Sequence, residues 1–88
     1  MTYRVEFTPA AQRELRALDG EVHRRVVAAI DALAGDPRPP GVKRMHGKAP
    51  DVWRIRVGDY RVLYRIRDDV LTVLVVKIGH RREVYRRR

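Results

Sequence analysis

The chain has 88 residues and a formal net charge of +9, from 20 lysine and arginine residues against 11 aspartate and glutamate residues. A chain of this length forms one small domain, so we expect a single domain over residues 1–88. It contains no cysteine, which excludes a disulfide framework and a thiolate zinc site. No apolar stretch is long enough to span a bilayer and no signal peptide is recognisable, so we expect a cytoplasmic protein.

The first half of the chain predicts one strand followed by two helices. Residues 2–7 alternate between apolar and polar side chains, which is typical of a strand with one buried face. Thr8 and Pro9 are favoured at the N-cap and at the first helical position, so the first helix begins there. Asp19 can cap the second helix, predicted over residues 21–34. Both helices carry an apolar stripe that we interpret as core.

The second half predicts a long loop followed by three antiparallel strands. Residues 36–51 are rich in proline, glycine and positive charge, and they form the loop. Residues 52–67 form a hairpin around a two-residue turn at Gly58 and Asp59. The apolar run over residues 70–78 predicts a central strand that is covered on both faces. The fold class is therefore α+β. An antiparallel sheet, made of the N-terminal strand and a three-strand meander, carries a two-helix hairpin on one face, and a short C-terminal tail or helix follows.

The register of the hairpin predicts a positively charged face. Counting outward from the turn places Arg56 opposite Arg61, and side chains alternate between the two faces of a sheet. One face forms core from Trp53, Ile55, Val57, Tyr60, Val62, Tyr64 and Ile66. The other, which we call the cationic face, carries Arg54, Arg56, Arg61, Arg65 and Arg67. Like charges directly opposite each other destabilise a sheet, so this arrangement indicates a polyanionic ligand.

A solvated surface is the alternative interpretation, because arginine stems cover apolar surface well. The distribution of charge favours nucleic acid instead: the whole net charge lies in residues 43–88, where fourteen basic residues face five acidic ones. A membrane surface fits less well, since the basic residues lie on strands rather than on an amphipathic helix.

Counting across a second two-residue turn at Asp68 and Asp69 extends the prediction to the last strand. This count places Leu74 near Leu63 and Val76 near Arg61. It predicts an apolar strip of Leu63, Leu74 and Val76 on the cationic face, available to the C-terminal tail or to a partner protein.

The residue types permit RNA cleavage without a metal ion or a protein nucleophile. No histidine spacing typical of a metal site and no Cys–His pairing occur. RNA supplies its own nucleophile, the 2′-hydroxyl, and arginines can stabilise the charge that develops on the phosphate. Arginine remains protonated, so another group must move the protons. The candidates are Tyr85, whose anion nearby arginines would favour, and His80, which titrates near neutrality. A structural role for His80 is the alternative.

The order of elements, together with the segments WRIRVGDYRVLYRI and IGHRREVY, resembles the RelE/ParE superfamily of bacterial type II toxins, and within it the RelE branch. The resemblance implies a toxin that cuts messenger RNA in the ribosomal A site without a metal or cofactor. The 2′-hydroxyl attacks, leaving a cyclic phosphate and a free 5′-hydroxyl. The positions that match the family's catalytic residues are Arg54, Arg56, Arg61, Arg81 and Tyr85. The first two are often lysine in the family, and arginine here leaves more of the proton transfer to Tyr85 or His80.

The remaining basic residues around this site are expected to bind RNA: Lys43, Arg44, Lys48, Arg65 and Arg82. The resemblance also implies a cognate antitoxin that wraps the toxin, the ribosome and messenger RNA as partners, and operator DNA bound only through the toxin–antitoxin complex. Two alternatives remain open. One is a ParE-like inhibitor of DNA gyrase without RNase activity, and the other is a non-catalytic nucleic-acid-binding module. The clustered arginines beside a tyrosine favour the nuclease.

Overall fold

The structure is a computed structural model, and it describes residues 2–45 and 52–81. These residues form a five-stranded sheet and two helices. The elements are β1 (Arg4–Phe7), α1 (Pro9–Ala17), α2 (Gly20–Ala32), β2 (Lys43–Arg44), β3 (Val52–Val57), β4 (Tyr60–Arg67) and β5 (Thr72–His80), with a short 3-10 turn at Asp68–Val70. The spatial order of the strands is β1-β5-β4-β3-β2. The α+β class is confirmed. No helix within the described ranges is long and apolar enough to cross a membrane.

The sheet is mixed, and the predicted wholly antiparallel sheet is wrong in this respect. Strand β1 pairs with β5 in parallel, with Arg4 beside Thr72 and Phe7 beside Val75. The alternation of side chains identifies a half-buried strand but carries no information on its direction. Strand β2 was also missed inside the predicted loop, because two residues are too few to produce an alternating pattern.

Both helices begin where the sequence predicts. The Thr8 hydroxyl accepts a hydrogen bond from the Ala11 N–H at 3.1 Å, and Pro9 is the first residue of α1. Asp19 holds the N-cap position of α2, although its side chain makes no capping hydrogen bond. The helices cover one face of the sheet, where their buried side chains join those of β3, β4 and β5 in a single core.

The β3–β4 hairpin has the predicted register. Arg56 lies opposite Arg61, and Val57 lies opposite Tyr60 at the turn. Gly58 has a φ of 60°, and Asp59 does not share a positive φ, which is typical of a type II′ turn. Glycine takes this conformation without strain, so the turn fixes which side chains of both strands share a face.

The predicted register between β4 and β5 is wrong, because the connecting turn is longer than two residues. Arg67 pairs with Thr72, and the chain between them forms the 3-10 turn and then Leu71 with a φ of 48°. Leu74 therefore lies beside Arg65 and not beside Leu63. A left-handed leucine carries no signature in the sequence, so counting from the two aspartates gave too short a turn.

A register shift farther along β5 changes the cationic face again. The pairing moves between Leu63 and Tyr64, so Val76 has no partner and Leu63 lies beside Lys77. Arg61 consequently pairs with Gly79 rather than with Val76. The predicted continuous apolar strip is not formed, because Lys77 lies beside Leu63 at the position predicted for Leu74.

The glutamate of α1 fixes this end of β5. Glu14 forms an ion pair with the ammonium group of Lys77 at 2.7 Å, and its second carboxylate oxygen accepts the N–H of Ile78 at 2.8 Å. Strand β1 has ended at this level, so the carboxylate takes the place of a neighbouring strand for the Ile78 N–H.

Residues 36–45, which we call the strap, are anchored to the sheet by side chains. The Tyr64 hydroxyl donates to the Pro37 carbonyl at 2.7 Å. Arg38 donates to both carboxylate oxygens of Asp68, at 2.9 and 3.3 Å, and its guanidinium lies 5.2 Å from the ring centre of Trp53. The Tyr3 hydroxyl donates to the same carboxylate. Asp68 therefore ties the strap to the N-terminal strand region.

The anchoring of the strap predicts a stability that depends on pH. The Arg38 guanidinium, and after it the Tyr3 hydroxyl, lower the pKa of the Asp68 carboxyl. This stabilisation is present above the carboxyl's unfolded-state pKa and is lost as the pH falls through the lowered folded-state pKa. Asp68→Asn should therefore lower the melting temperature at neutral pH and weaken its decline in acid. Thermal unfolding between pH 7 and about pH 3 measures both effects.

Asp69→Asn is the matched control for this experiment. Asp69 is exposed and reaches Arg67 only at 3.8 Å, so its replacement should change little. Equal melting curves for the Asp68 and Asp69 variants would contradict the anchoring role.

Candidate functional site: a guanidinium buried on the cationic face

The cationic face lies on the side of the sheet opposite the helices. Arg54 and Arg56 alternate with core residues along β3, as Arg61 and Arg65 do along β4. Lys43 of β2 pairs with Arg54 and extends the face to the sheet edge. The structure therefore brings together the predicted arginines of the hairpin and one predicted RNA-binding lysine.

Arg61 differs from its neighbours because it is buried. Its relative exposure is 5%, and it is the only charged side chain among the described residues that is buried to this degree. Its Nη1 donates to the carbonyls of Tyr60 at 3.3 Å and Gly58 at 3.5 Å, while Nε has no hydrogen-bond partner within the described chain. None of the ion pairs within residues 2–45 and 52–81 involves this guanidinium. Burying a charge without a counter-ion costs several kcal/mol, roughly.

The surroundings of Arg61 make this burial possible and suggest its use. Arg56 lies directly opposite on β3, and because it is also a cation it cannot neutralise the buried charge. On the other side Arg61 pairs with Gly79, which has no side chain to occupy the same face. A phosphate placed between the two arginines would supply the counter-charge that the described residues do not provide, and arginine forks match phosphate oxygens in geometry.

Further cations surround the hairpin turn. The N–H of Arg81 donates to the Asp59 carbonyl at 2.8 Å, which places the exposed Arg81 at the turn end of the face. The guanidinium of Arg25, on α2, lies within 3.7 Å of the point that a Cβ on Gly58 would occupy. Sequence reasoning missed Arg25, because it lies on α2, which is far from the turn along the chain.

Two predicted site residues lie on the other side of the sheet. His80 pairs with Tyr60, and their rings meet edge to face with centroids 5.5 Å apart. Tyr60 shares its face with the core residue Val62, so His80 points to the helix side. Arg44 is also on that side, with its guanidinium 5.9 Å from the ring centre of Trp53. The structure does not bring these two residues to the cationic face.

Three predicted site residues, Lys48, Arg82 and Tyr85, lie outside the described residues. Among the described tyrosines, Tyr64 is fully buried, and burial raises its pKa far above the usual range. Its hydroxyl is engaged with the strap, so Tyr64 serves the fold. In the part of the chain that is described, no three histidine, aspartate or glutamate side chains cluster closely enough to hold a metal ion.

Comparisons with known proteins agree with this architecture. The family model described as the ParE toxin of the type II toxin–antitoxin system parDE matches residues 5–85. Toxin RelG of Mycobacterium tuberculosis is 36% identical over 88 residues, covering 99% of this chain and all of the relative. The toxin–antitoxin complex RelBE2 of the same species contains a chain that superposes with a TM-score of 0.79 at 32% identity, with 91% of this chain and 99% of that chain covered.

The isolated RelE toxin of E. coli superposes with a TM-score of 0.78 at 26% identity, with 89% of this chain and 83% of that chain covered. The coverage is nearly complete in each comparison, so the similarity concerns the whole sheet and both helices. The chain belongs to the RelE/ParE superfamily, and it is a toxin of a type II toxin–antitoxin system.

The buried charge predicts a measurable cost in stability. Arg61→Met should raise the free energy of unfolding by about 1–2 kcal/mol, because methionine has a similar volume and carries no charge into the interior. Arg56→Met, directly opposite but exposed, should leave it nearly unchanged. Urea unfolding of the three proteins measures this difference. A marked loss of stability in Arg61→Met would mean that the guanidinium is already neutralised in the free protein.

Proposed function

We propose that this toxin is a metal-independent endoribonuclease that cleaves messenger RNA in the ribosomal A site through attack of the 2′-hydroxyl. The observation that carries the proposal is the buried guanidinium of Arg61 opposite the exposed Arg56. Membership of the RelE/ParE superfamily and the similarity to RelE toxins support it. The arginine positions also match those that the family uses.

In the proposed reaction the arginines act on the phosphate alone. The 2′-oxygen forms a bond to phosphorus while the bond from phosphorus to the 5′-oxygen breaks, which gives a cyclic phosphate and a 5′-hydroxyl end. The phosphate gains negative charge in the transition state, and Arg61 and Arg56 are held beside it before the reaction begins. Preorganised charge of this kind is commonly the largest contribution to catalysis. Arg54 and Arg81 would bind the same phosphate or its neighbour.

Two protons must move during this reaction, one from the 2′-hydroxyl and one to the leaving 5′-oxygen. Arginine cannot release a proton at ordinary pH. Of the two candidates, His80 lies on the helix side of the sheet, packed against Tyr60. Tyr85 is therefore the proposed proton carrier. As an anion, which the arginines of the cationic face would favour, it would accept the proton of the 2′-hydroxyl, and the leaving 5′-oxygen would take up a proton from water.

The remaining cations would hold the RNA along the face. Lys43, Arg65 and Arg81 are exposed around the central pair, and Lys48 and Arg82 are proposed to add further phosphate contacts. Binding that rests on several phosphates should weaken steeply with salt. The proposed partners are the ribosome with its messenger in the cytoplasm, and an antitoxin, as in the RelBE2 complex of M. tuberculosis. Operator DNA would be bound only through the toxin–antitoxin complex.

Inhibition of DNA gyrase is the second candidate function. It is favoured by one observation, that the matching family model is that of the ParE toxin. Fold alone does not decide between the two, because both branches share it. A gyrase inhibitor has no evident need for a buried arginine that no described acidic side chain neutralises, and so we prefer the nuclease.

Removal of the buried charge should slow cleavage strongly without unfolding the protein. Arg61→Ala should lower the rate of messenger cleavage on translating ribosomes by about a hundredfold or more, because transition-state stabilisation is lost. Arg13→Ala, an exposed arginine on α1, should cleave at the wild-type rate. A chelator that removes zinc and other transition metals but leaves the ribosomal Mg²⁺ in place should not affect the wild-type rate. A supercoiling assay with gyrase runs beside the cleavage assay. Full cleavage by Arg61→Ala, or inhibition of gyrase without any cleavage, would contradict the proposal.

The two candidates for proton transfer can be separated by single-turnover kinetics. Tyr85→Phe should slow the chemical step on programmed ribosomes much more than it weakens ribosome binding. His80→Asn should leave the chemical step within a few fold of wild type, because His80 is on the opposite side of the sheet. A larger loss of the chemical rate for the His80 variant than for the Tyr85 variant would contradict this and would make His80 the proton carrier.

A further inference from the structure

A cleft of about 490 Å³ opens at the edge of the sheet between α2, the strap and β3. Its small and apolar lining comes from three elements: Ala29 and Ala32 of α2, Pro39 and Pro40 of the strap, and Ile55 of β3. The volume falls within the range of sites for small organic ligands, about 300–1,000 Å³, and it is too small for a helix. The cleft therefore fits a compact, flat and partly apolar group.

The cleft joins the cationic face directly. Arg54 and Arg56 line the cleft and also belong to that face, and Lys43, which pairs with Arg54, lines it as well. An RNA strand whose scissile phosphate lies between Arg56 and Arg61, and which runs across the sheet toward β2, passes the mouth of the cleft. The nucleotide next to that phosphate is then the group nearest to the apolar walls.

The backbone of β3 adds hydrogen-bonding groups to the cleft. Met45 donates its N–H to the Val52 carbonyl at 2.9 Å, so alternate residues of β3 starting from Val52 direct their backbone groups toward β2. Arg56 is one of these. Strand β2 does not reach it, since the chain turns away at Gly41, where φ is 89°. Within the described residues no backbone group pairs with the N–H and carbonyl of Arg56 on this side.

We propose that this cleft binds one unstacked base of the substrate RNA, adjacent to the scissile phosphate, and selects among bases there. This inference rests on the proposed nuclease function and extends it to a base-recognition site. Proteins that read RNA sequence stack splayed bases on aromatic rings or arginine guanidinium planes and hydrogen-bond their edges. Here the apolar walls enclose the base, and the backbone N–H and carbonyl of Arg56 form hydrogen bonds with its edge. The side chains of Lys43 and Arg54 bind the adjoining phosphate.

The cleft is preorganised, which favours selective binding. The strap that carries Pro39 and Pro40 is fixed by the hydrogen bond from Tyr64 to Pro37 and by the ion pair between Arg38 and Asp68. A rigid wall avoids the free-energy cost of ordering a loop when the ligand binds. The anchoring contacts thus have a consequence for RNA recognition as well as for stability.

The test fills the cleft without touching a cation. Ala32 is exposed and is the last residue of α2, so Ala32→Leu adds volume inside the cleft with little disturbance of the core. Ala28→Leu is the matched control, because Ala28 is exposed on the same helix and does not line the cleft. Each protein is added to ribosomes translating messengers with a randomised codon, and the 5′ ends of the fragments are sequenced. Thermal unfolding checks the fold, and Ala32→Met provides a second variant with a more flexible side chain.

Ala32→Leu should cleave between about fivefold and a hundredfold more slowly than wild type, the effect of one lost base-stacking contact. It should also lose the base preference that wild type shows at one position beside the cut, while Ala28→Leu keeps both. An Ala32→Leu variant with wild-type rate and preference overturns the inference and leaves the nuclease intact. The same holds if the only effect of Ala32→Leu is escape from neutralisation by the antitoxin, because the cleft would then belong to the antitoxin's binding surface. A wild-type protein that cuts no messenger overturns both.

Discussion

The placement of Arg61 opposite Arg56 is the constraint on which the functional site depends. A tight turn at Gly58 closes the hairpin, and the turn fixes the pairing of every residue behind it. The pairing puts two like charges side by side and buries one of them beside Gly79. Such an arrangement lowers the stability of the free protein, and it is the kind of local conflict that occurs where a fold serves a ligand.

The other elements support this hairpin and leave part of the β3 edge without a neighbouring strand. Strand β5 supports one side of β4, and the Glu14 carboxylate completes the end of β5 where β1 stops. On the other side β2 is only two residues long and leaves part of β3 open. The strap, fixed by Arg38 and Asp68, forms the wall across that opening. A cleft beside the cationic face results from the same contacts that stabilise the sheet.

The sequence predicts those features that depend on local chemistry and on counting. Thr8 and Gly58 have well-defined roles at a helix start and in a hairpin turn, so the start of α1 and the β3–β4 register follow from them. The left-handed Leu71 and the unpaired Val76 have no such signature in the sequence. For this reason the predicted register between β4 and β5 differs from the observed one. The burial of Arg61 could not be predicted either, because exposure depends on tertiary packing. The cleft joins a helix, a loop and a strand that are distant in sequence, so no spacing in the chain indicates it.

The central claim, that the cationic face acts on the phosphates of translated messengers, is tested most directly by mapping the 5′ ends of cellular RNA after the chain is expressed. The account predicts new 5′-hydroxyl ends within open reading frames, in phase with the codons and absent from untranslated regions. Intact messengers in cells whose DNA replication has stopped would contradict it and would assign this toxin to the gyrase-directed branch of its superfamily.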